Sequence, residues 1–172
     1  MKKNYRRPRP FGRVAAGFTL IELLVVMAII GLLASMISAS VSTARVRAQA
    51  AKLAADFQQI HTSIEAARTS SVLWRVTGSG CSECANCMGA ANLHTLPSSH
   101  PCIVDLTNAF VAKIGMSALP RDPWGNPYTL DENEQEGGPL DCRYDTVVSP
   151  GPDHRRSGDD ITFNVPHFTC TP

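Results

Sequence analysis

The sequence predicts an α+β fold: one long N-terminal α-helix, its first half suited to a membrane, packed against a small antiparallel β-sheet. Two observations carry this. Helix-compatible sequence runs from residue 18 to about residue 70, and no proline occurs between Pro10 and Pro97. Beyond residue 119, short apolar segments at 128–130, 142–148 and 161–164 alternate with stretches of Asp, Glu, Gly and Pro, the pattern of a small sheet with tight connections.

Charge divides the chain. Of its 16 basic residues, Lys2, Lys3, Arg6, Arg7, Arg9 and Arg13 precede Gly17, and no acid accompanies them. The remainder carries 10 basic against 15 acidic residues. A basic head before an acidic body argues for membrane targeting and against a nucleic-acid partner, because an acidic body does not follow a phosphate backbone.

Residues 18 to about 40 form an apolar run of roughly 22 residues, enough to cross a bilayer as a helix. The preceding positive charges hold the N-terminus on the cytoplasmic side and send the rest of the chain outward. A secretory signal would carry a small-residue cleavage site after its apolar core, whereas here the small residue, Gly17, stands before it. Within the run, Gly31 costs about 1 kcal/mol of helix propensity and permits close approach of another helix. Glu22 interrupts the run, and a carboxylate in lipid costs about 2.5–3.5 kcal/mol on insertion scales. Taken alone, it complements the positive end of the helix dipole near the interface.

The string Gly17-Phe18-Thr19-Leu20-Ile21-Glu22 resembles the prepilin peptidase recognition motif of type IV pilins and type II secretion pseudopilins. The resemblance implies cleavage between Gly17 and Phe18, N-methylation of Phe18, and pairing of Glu22 with the terminal amine of a neighbouring subunit during assembly. Residues 1–17 are then a removable leader and 18–40 a transmembrane and filament-core helix.

Over 41–70 the helix continues as an amphipathic segment. Leu53, Phe57, Ile60, Ile64 and Ala67 recur in alternating steps of four and three, which marks one helical face. Packing against a globular domain explains this stripe, and five positions are too few for a coiled-coil seam.

Six cysteines follow: Cys81, Cys84, Cys87, Cys102, Cys142 and Cys170. All lie on the side that the basic head assigns to an oxidising compartment, where an even count points to disulfides. Residues 71–118 read as a Cys-rich variable loop region that needs cross-links for order. The alternative is a zinc centre of Cys81, Cys84 and Cys87 with His94, His100 or Cys102 as fourth ligand. A redox or enzymatic module using the same three thiols is the reading from another class, and free thiols would mark it.

Residues 119–172 hold the sheet. It is introduced by Leu119-Pro120-Arg121-Asp122-Pro123-Trp124-Gly125-Asn126-Pro127-Tyr128, a turn anchored by Trp124 and Tyr128. The Asp-Pro-Trp-Gly-Asn-x-Tyr run resembles the signature before the sheet of major pseudopilins. Between the last two strands lies Ser149-Pro150-Gly151-Pro152-Asp153-His154-Arg155-Arg156-Ser157-Gly158-Asp159-Asp160-Ile161. By composition this is an Asp-rich surface turn or an oxygen-rich calcium loop. It also resembles the calcium loop of the major pseudopilins, with His154-Arg155-Arg156 where a glycine is common. That resemblance implies a calcium ion held by Asp153 and Asp160, with Asp159 or Ser149 assisting and backbone carbonyls completing the shell.

The function implied is structural, not enzymatic. The chain resembles a pseudopilus subunit that drives type II protein secretion from the bacterial inner membrane, its C-terminal domain periplasmic. Its partners would be membrane lipid, copies of itself, minor pseudopilins, the prepilin peptidase and the inner-membrane assembly platform. No Gly-rich phosphate loop is present, so a separate ATPase would supply the work. A pilin of a surface type IV pilus, serving adhesion, motility or DNA uptake, is the nearest alternative.

Overall fold

The structure, a computed structural model, describes residues 17–69, 71–84 and 86–168, without the side chains of 38 and 39. Residues 1–16 of the expected 1–17 leader, and the disulfide candidate Cys170, lie outside the described residues. The chain divides into two compact units, Met1–Arg45 and Val46–Pro172, and the first helix, α1 (Leu20–Ala67), contributes to both.

In the first unit, α1 is apolar on every side from Leu23 to Ala34. Large side chains from Phe18 to Ile37 are at least half exposed almost throughout, and the segment is long and apolar enough to cross a membrane. Among the described residues, no atom lies within 4 Å of where a Cβ at Gly31 would sit.

In the second unit the amphipathic stripe behaves as expected. Leu53, Phe57, Ile60 and Ile64 are buried, and Ala67 packs beside them. Opposite lies a three-stranded antiparallel sheet, β1 (Thr129–Asp131), β2 (Asp145–Ser149) and β3 (Ile161–Val165), ordered β1-β2-β3. Leu130 pairs with Val147 and Val148 with Thr162, fixing the register. Phe57 stacks on Phe163 with ring centroids 5.1 Å apart and meets Tyr128 at 5.5 Å, so aromatic contacts join helix to sheet. β2 begins at Asp145 rather than residue 142, because Asp141 and Arg143 instead pair with each other in a turn.

The middle of the chain departs from the expected loop. It holds α2 (Leu73–Thr77), α3 (Pro101–Thr107) and a π-helical turn over Asn108–Lys113. His100 caps α3 by accepting the Cys102 N–H at Nδ1 (3.2 Å), and Pro101 occupies the first turn, where its missing N–H is not needed. Cys102, Ile103, Leu106, Ala109 and Phe110 are all buried. Their spacing of one helical face was present in the sequence, behind the Gly- and Pro-rich punctuation that obscured it.

Candidate functional site

Gly17 and Phe18 precede α1, and the Phe18 side chain is fully accessible. Thr19 is the helix N-cap. Its N–H and hydroxyl donate to Glu22 Oε2 at 2.8 and 2.6 Å, and the Glu22 N–H reaches back to Thr19 Oγ1 at 3.4 Å. This is a capping box, three residues apart as the motif requires, and it satisfies amide donors that the first turn would otherwise leave bare. Glu22 is thus a capping residue as well as the dipole partner or assembly carboxylate expected of it. The Thr-x-x-Glu spacing was the missed signal.

The second site is the turn after β2. Asp122, buried, is its organising group: it accepts N–H bonds from Trp124 (3.0 Å) and Asn126 (2.8 Å), the Asn126 amide (2.9 Å) and the Ser149 hydroxyl (2.7 Å). Asn126 in turn donates to the Gly151 carbonyl at 2.7 Å and meets His154 Nδ1 at 2.7 Å. The Asp-Pro-Trp-Gly-Asn turn therefore fixes where the next loop starts. At Gly125, φ is +87°, and an added Cβ would strike the His94 ring at 2.6 Å, so the position requires glycine.

Ser149, expected as an assisting ligand, is committed to this scaffold. Besides bonding Asp122, its hydroxyl accepts the Gly151 N–H at 3.3 Å. A short 3₁₀ segment, Gly151–Asp153, leads to His154 in a left-handed conformation with φ +62°. A side chain is held there because Nδ1 of His154 is tied to Asn126 and its carbonyl accepts the Leu93 N–H at 2.8 Å.

Beyond it, Asp153, Asp159 and Asp160 converge, each offering a carboxylate oxygen within 4.8 Å of the others. Ser157 has one hydroxyl proton and faces both Asp153 and Asp159. Asp160 Oδ2 takes the Ser157 N–H at 3.0 Å and an Arg156 Nη1 contact, whereas its Oδ1 is buried without a partner. Three carboxylates of hard oxygen, one with an unsatisfied buried atom, fit a calcium ion by charge and donor type.

Arg156 also reaches out of the loop. Its Nε and Nη2 donate to both oxygens of Glu83, at 2.9 and 2.5 Å. Glu83 lies inside the ring closed by the Cys81–Cys84 disulfide, and its neighbour Ser82 donates its N–H and hydroxyl to Glu132 at 2.8 and 2.6 Å. Burial pushes the Glu132 carboxyl up to about 7, against the lowering effect of the Ser82 bonds.

The cysteines are paired. Cys87 bonds Cys102, Cys81 bonds Cys84, and Cys142 is also disulfide-bonded. The zinc alternative on Cys81, Cys84 and Cys87 is thereby corrected, since Cys87 leaves the set to join α3. Of its proposed fourth ligands, His100 caps that helix and His94 packs on Gly125 and His154. No described cysteine is free, which removes the thiols that a redox module would use.

The described residues thus combine a long helix with a capped, apolar start and a small antiparallel sheet. Residues 12–38 match the family model for the prokaryotic N-terminal methylation motif. The chain is also similar to the type II secretion system core protein G of Escherichia coli (strain K12), at 29% identity over 147 residues, which is 85% of this chain and 88% of that protein. No solved structure matches the chain.

Proposed function

We propose that the chain is the major structural subunit of a periplasmic pseudopilus that drives type II protein secretion, and not an enzyme. The carrying observation is the conjunction of the methylation motif at residues 12–38 with likeness to a secretion-system core protein over most of the chain. In this reading the prepilin peptidase cuts between Gly17 and Phe18 and methylates Phe18. The apolar half of α1 first sits in the inner membrane and then packs with lipid-free copies of itself in the filament core. Glu22 pairs with a neighbour's new amine. Minor pseudopilins and the inner-membrane assembly platform are the remaining partners, and the domain from Val46 onward faces the periplasm.

Calcium completes the reading. Asp153, Asp159 and Asp160 would hold the ion with nearby carbonyls, supported by the partnerless Asp160 Oδ1. When bound, the ion supplies charge neutralisation and order to the β2–β3 connection. Ser149 is reassigned from ligand to scaffold.

The test is the secreted protein profile of a strain lacking the gene. Secretion should fail and return with the wild-type gene, but not with Gly17→Asp, a change that blocks processing. Normal secretion accompanied by loss of surface fibres would replace this reading with that of a type IV pilus subunit.

A further inference from the structure

We infer that Glu83 is a positioning residue for the cation loop: it draws the loop's own guanidinium aside and so sets the affinity for a divalent cation. The inference rests on the calcium reading above and adds to it a residue far away in sequence. The loop carries an internal competitor, because Arg156 Nη1 contacts the same Asp160 carboxylate that would ligate the ion. Two of the three nitrogens of that guanidinium, however, face Glu83 as a fork on a carboxylate, the geometry in which arginine binds most firmly. Side-chain exposure is 14% for Arg156, 4% for Glu83 and 3% for Asp160, so water screens this contest poorly.

Glu83 is held for the task. The Cys81–Cys84 bond closes the ring around it, Ser82 is doubly bonded to Glu132, and the Glu83 carbonyl accepts the Cys87 N–H at 3.0 Å. The carboxylate therefore cannot follow Arg156 toward the loop. While it neutralises the guanidinium from outside, Asp160 keeps Oδ1 open and the three aspartates retain net negative charge. Without it, the guanidinium has one carboxylate left, Asp160, and sits where the cation belongs.

Calcium titration calorimetry on the full chain in detergent micelles, with disulfides intact, tests this. Glu83→Gln should weaken calcium binding by about tenfold, the scale of one poorly screened charge contact. The double change Glu83→Gln with Arg156→Gln should restore wild-type affinity or exceed it, since no guanidinium remains to compete and Asp160 is left to the Ser157 N–H and the ion. Recovery in the double variant separates competition from damage to the fold. Unchanged affinity in Glu83→Gln, or equal weakness in the single and double variants, overturns the inference while leaving the calcium reading intact. Absence of binding by the wild type overturns both.

Discussion

Arg68, one residue beyond the end of α1, donates from Nη2 to Asp145 Oδ2 at 2.5 Å at the start of β2, and both side chains are fully buried. The same guanidinium donates to the Pro166 carbonyl at 2.7 Å and lies 3.8 Å from the buried Glu134. One cation thus ties the helix end to the first residue of the central strand and to the chain leaving β3. Removing it leaves two buried carboxylates without their cation, so Arg68→Ala should cost about 3–5 kcal/mol, read as a lower midpoint in urea unfolding followed by tryptophan fluorescence. A loss below about 1 kcal/mol would show that water reaches the cluster and that the ion pair is not what joins helix to strand.

Calcium should raise the melting temperature of the full chain. At a hundredfold excess over its dissociation constant a ligand adds about 2.7 kcal/mol of stability. Asp160→Asn keeps the shape of the site but removes a charge from the carboxylate with the unpartnered oxygen, and should abolish most of the calcium-induced shift. An undiminished shift would place the ion elsewhere.

The two disulfides with described partners should differ in worth. Cys87–Cys102 spans fifteen residues and lies wholly in the core, whereas Cys81–Cys84 spans three and is partly exposed. Closing a loop of the longer size contributes about 3 kcal/mol. Replacing Cys87 and Cys102 by alanine should cost at least that much in denaturant unfolding. Replacing Cys81 and Cys84 by serine should cost less than half as much, and the reverse order would contradict the burial argument.

Glu132 gives the domain a pH dependence of known sign. Its carboxyl is raised from 4.5 to about 7 by burial, so the folded state holds this proton more tightly than the unfolded one. The contribution is fully present below about pH 4.5 and is lost as pH rises through 7. Asp145, also raised by burial, acts with the same sign. Glu132→Gln keeps an acceptor for the Ser82 N–H and gains a donor for its hydroxyl. It should therefore flatten the stability profile between pH 5 and pH 7.5 and add about 1–3 kcal/mol at pH 8. A variant less stable than wild type at pH 8 would mean that the ionised carboxylate is the useful form.

Local and periodic signals were legible in the sequence. Leu53, Phe57, Ile60 and Ile64 announced the buried helix face, and the breaks around 119–128 and 149–161 placed the strands within a few residues. Cross-chain pairing was not legible. Glu83 and Arg156 are 73 positions apart, and nothing local says that a charged residue inside a cysteine ring will be buried against a cation-rich turn. The bond from the Ser149 hydroxyl to Asp122, 27 positions away, was out of sight for the same reason. The helix at Pro101 was hidden by composition, since glycine, serine and proline upstream outweighed five apolar residues in helical spacing.

The capping box at Thr19 and Glu22 bears on how a subunit enters and leaves a polymer. The Glu22 carboxylate is already engaged within its own chain by the Thr19 amide and hydroxyl. If the subunit assembles as proposed, an incoming amine that takes this carboxylate would release the Thr19 donors in the same movement, and on its departure they would recover it. Docking is then an exchange of partners instead of the capture of an unsatisfied ion.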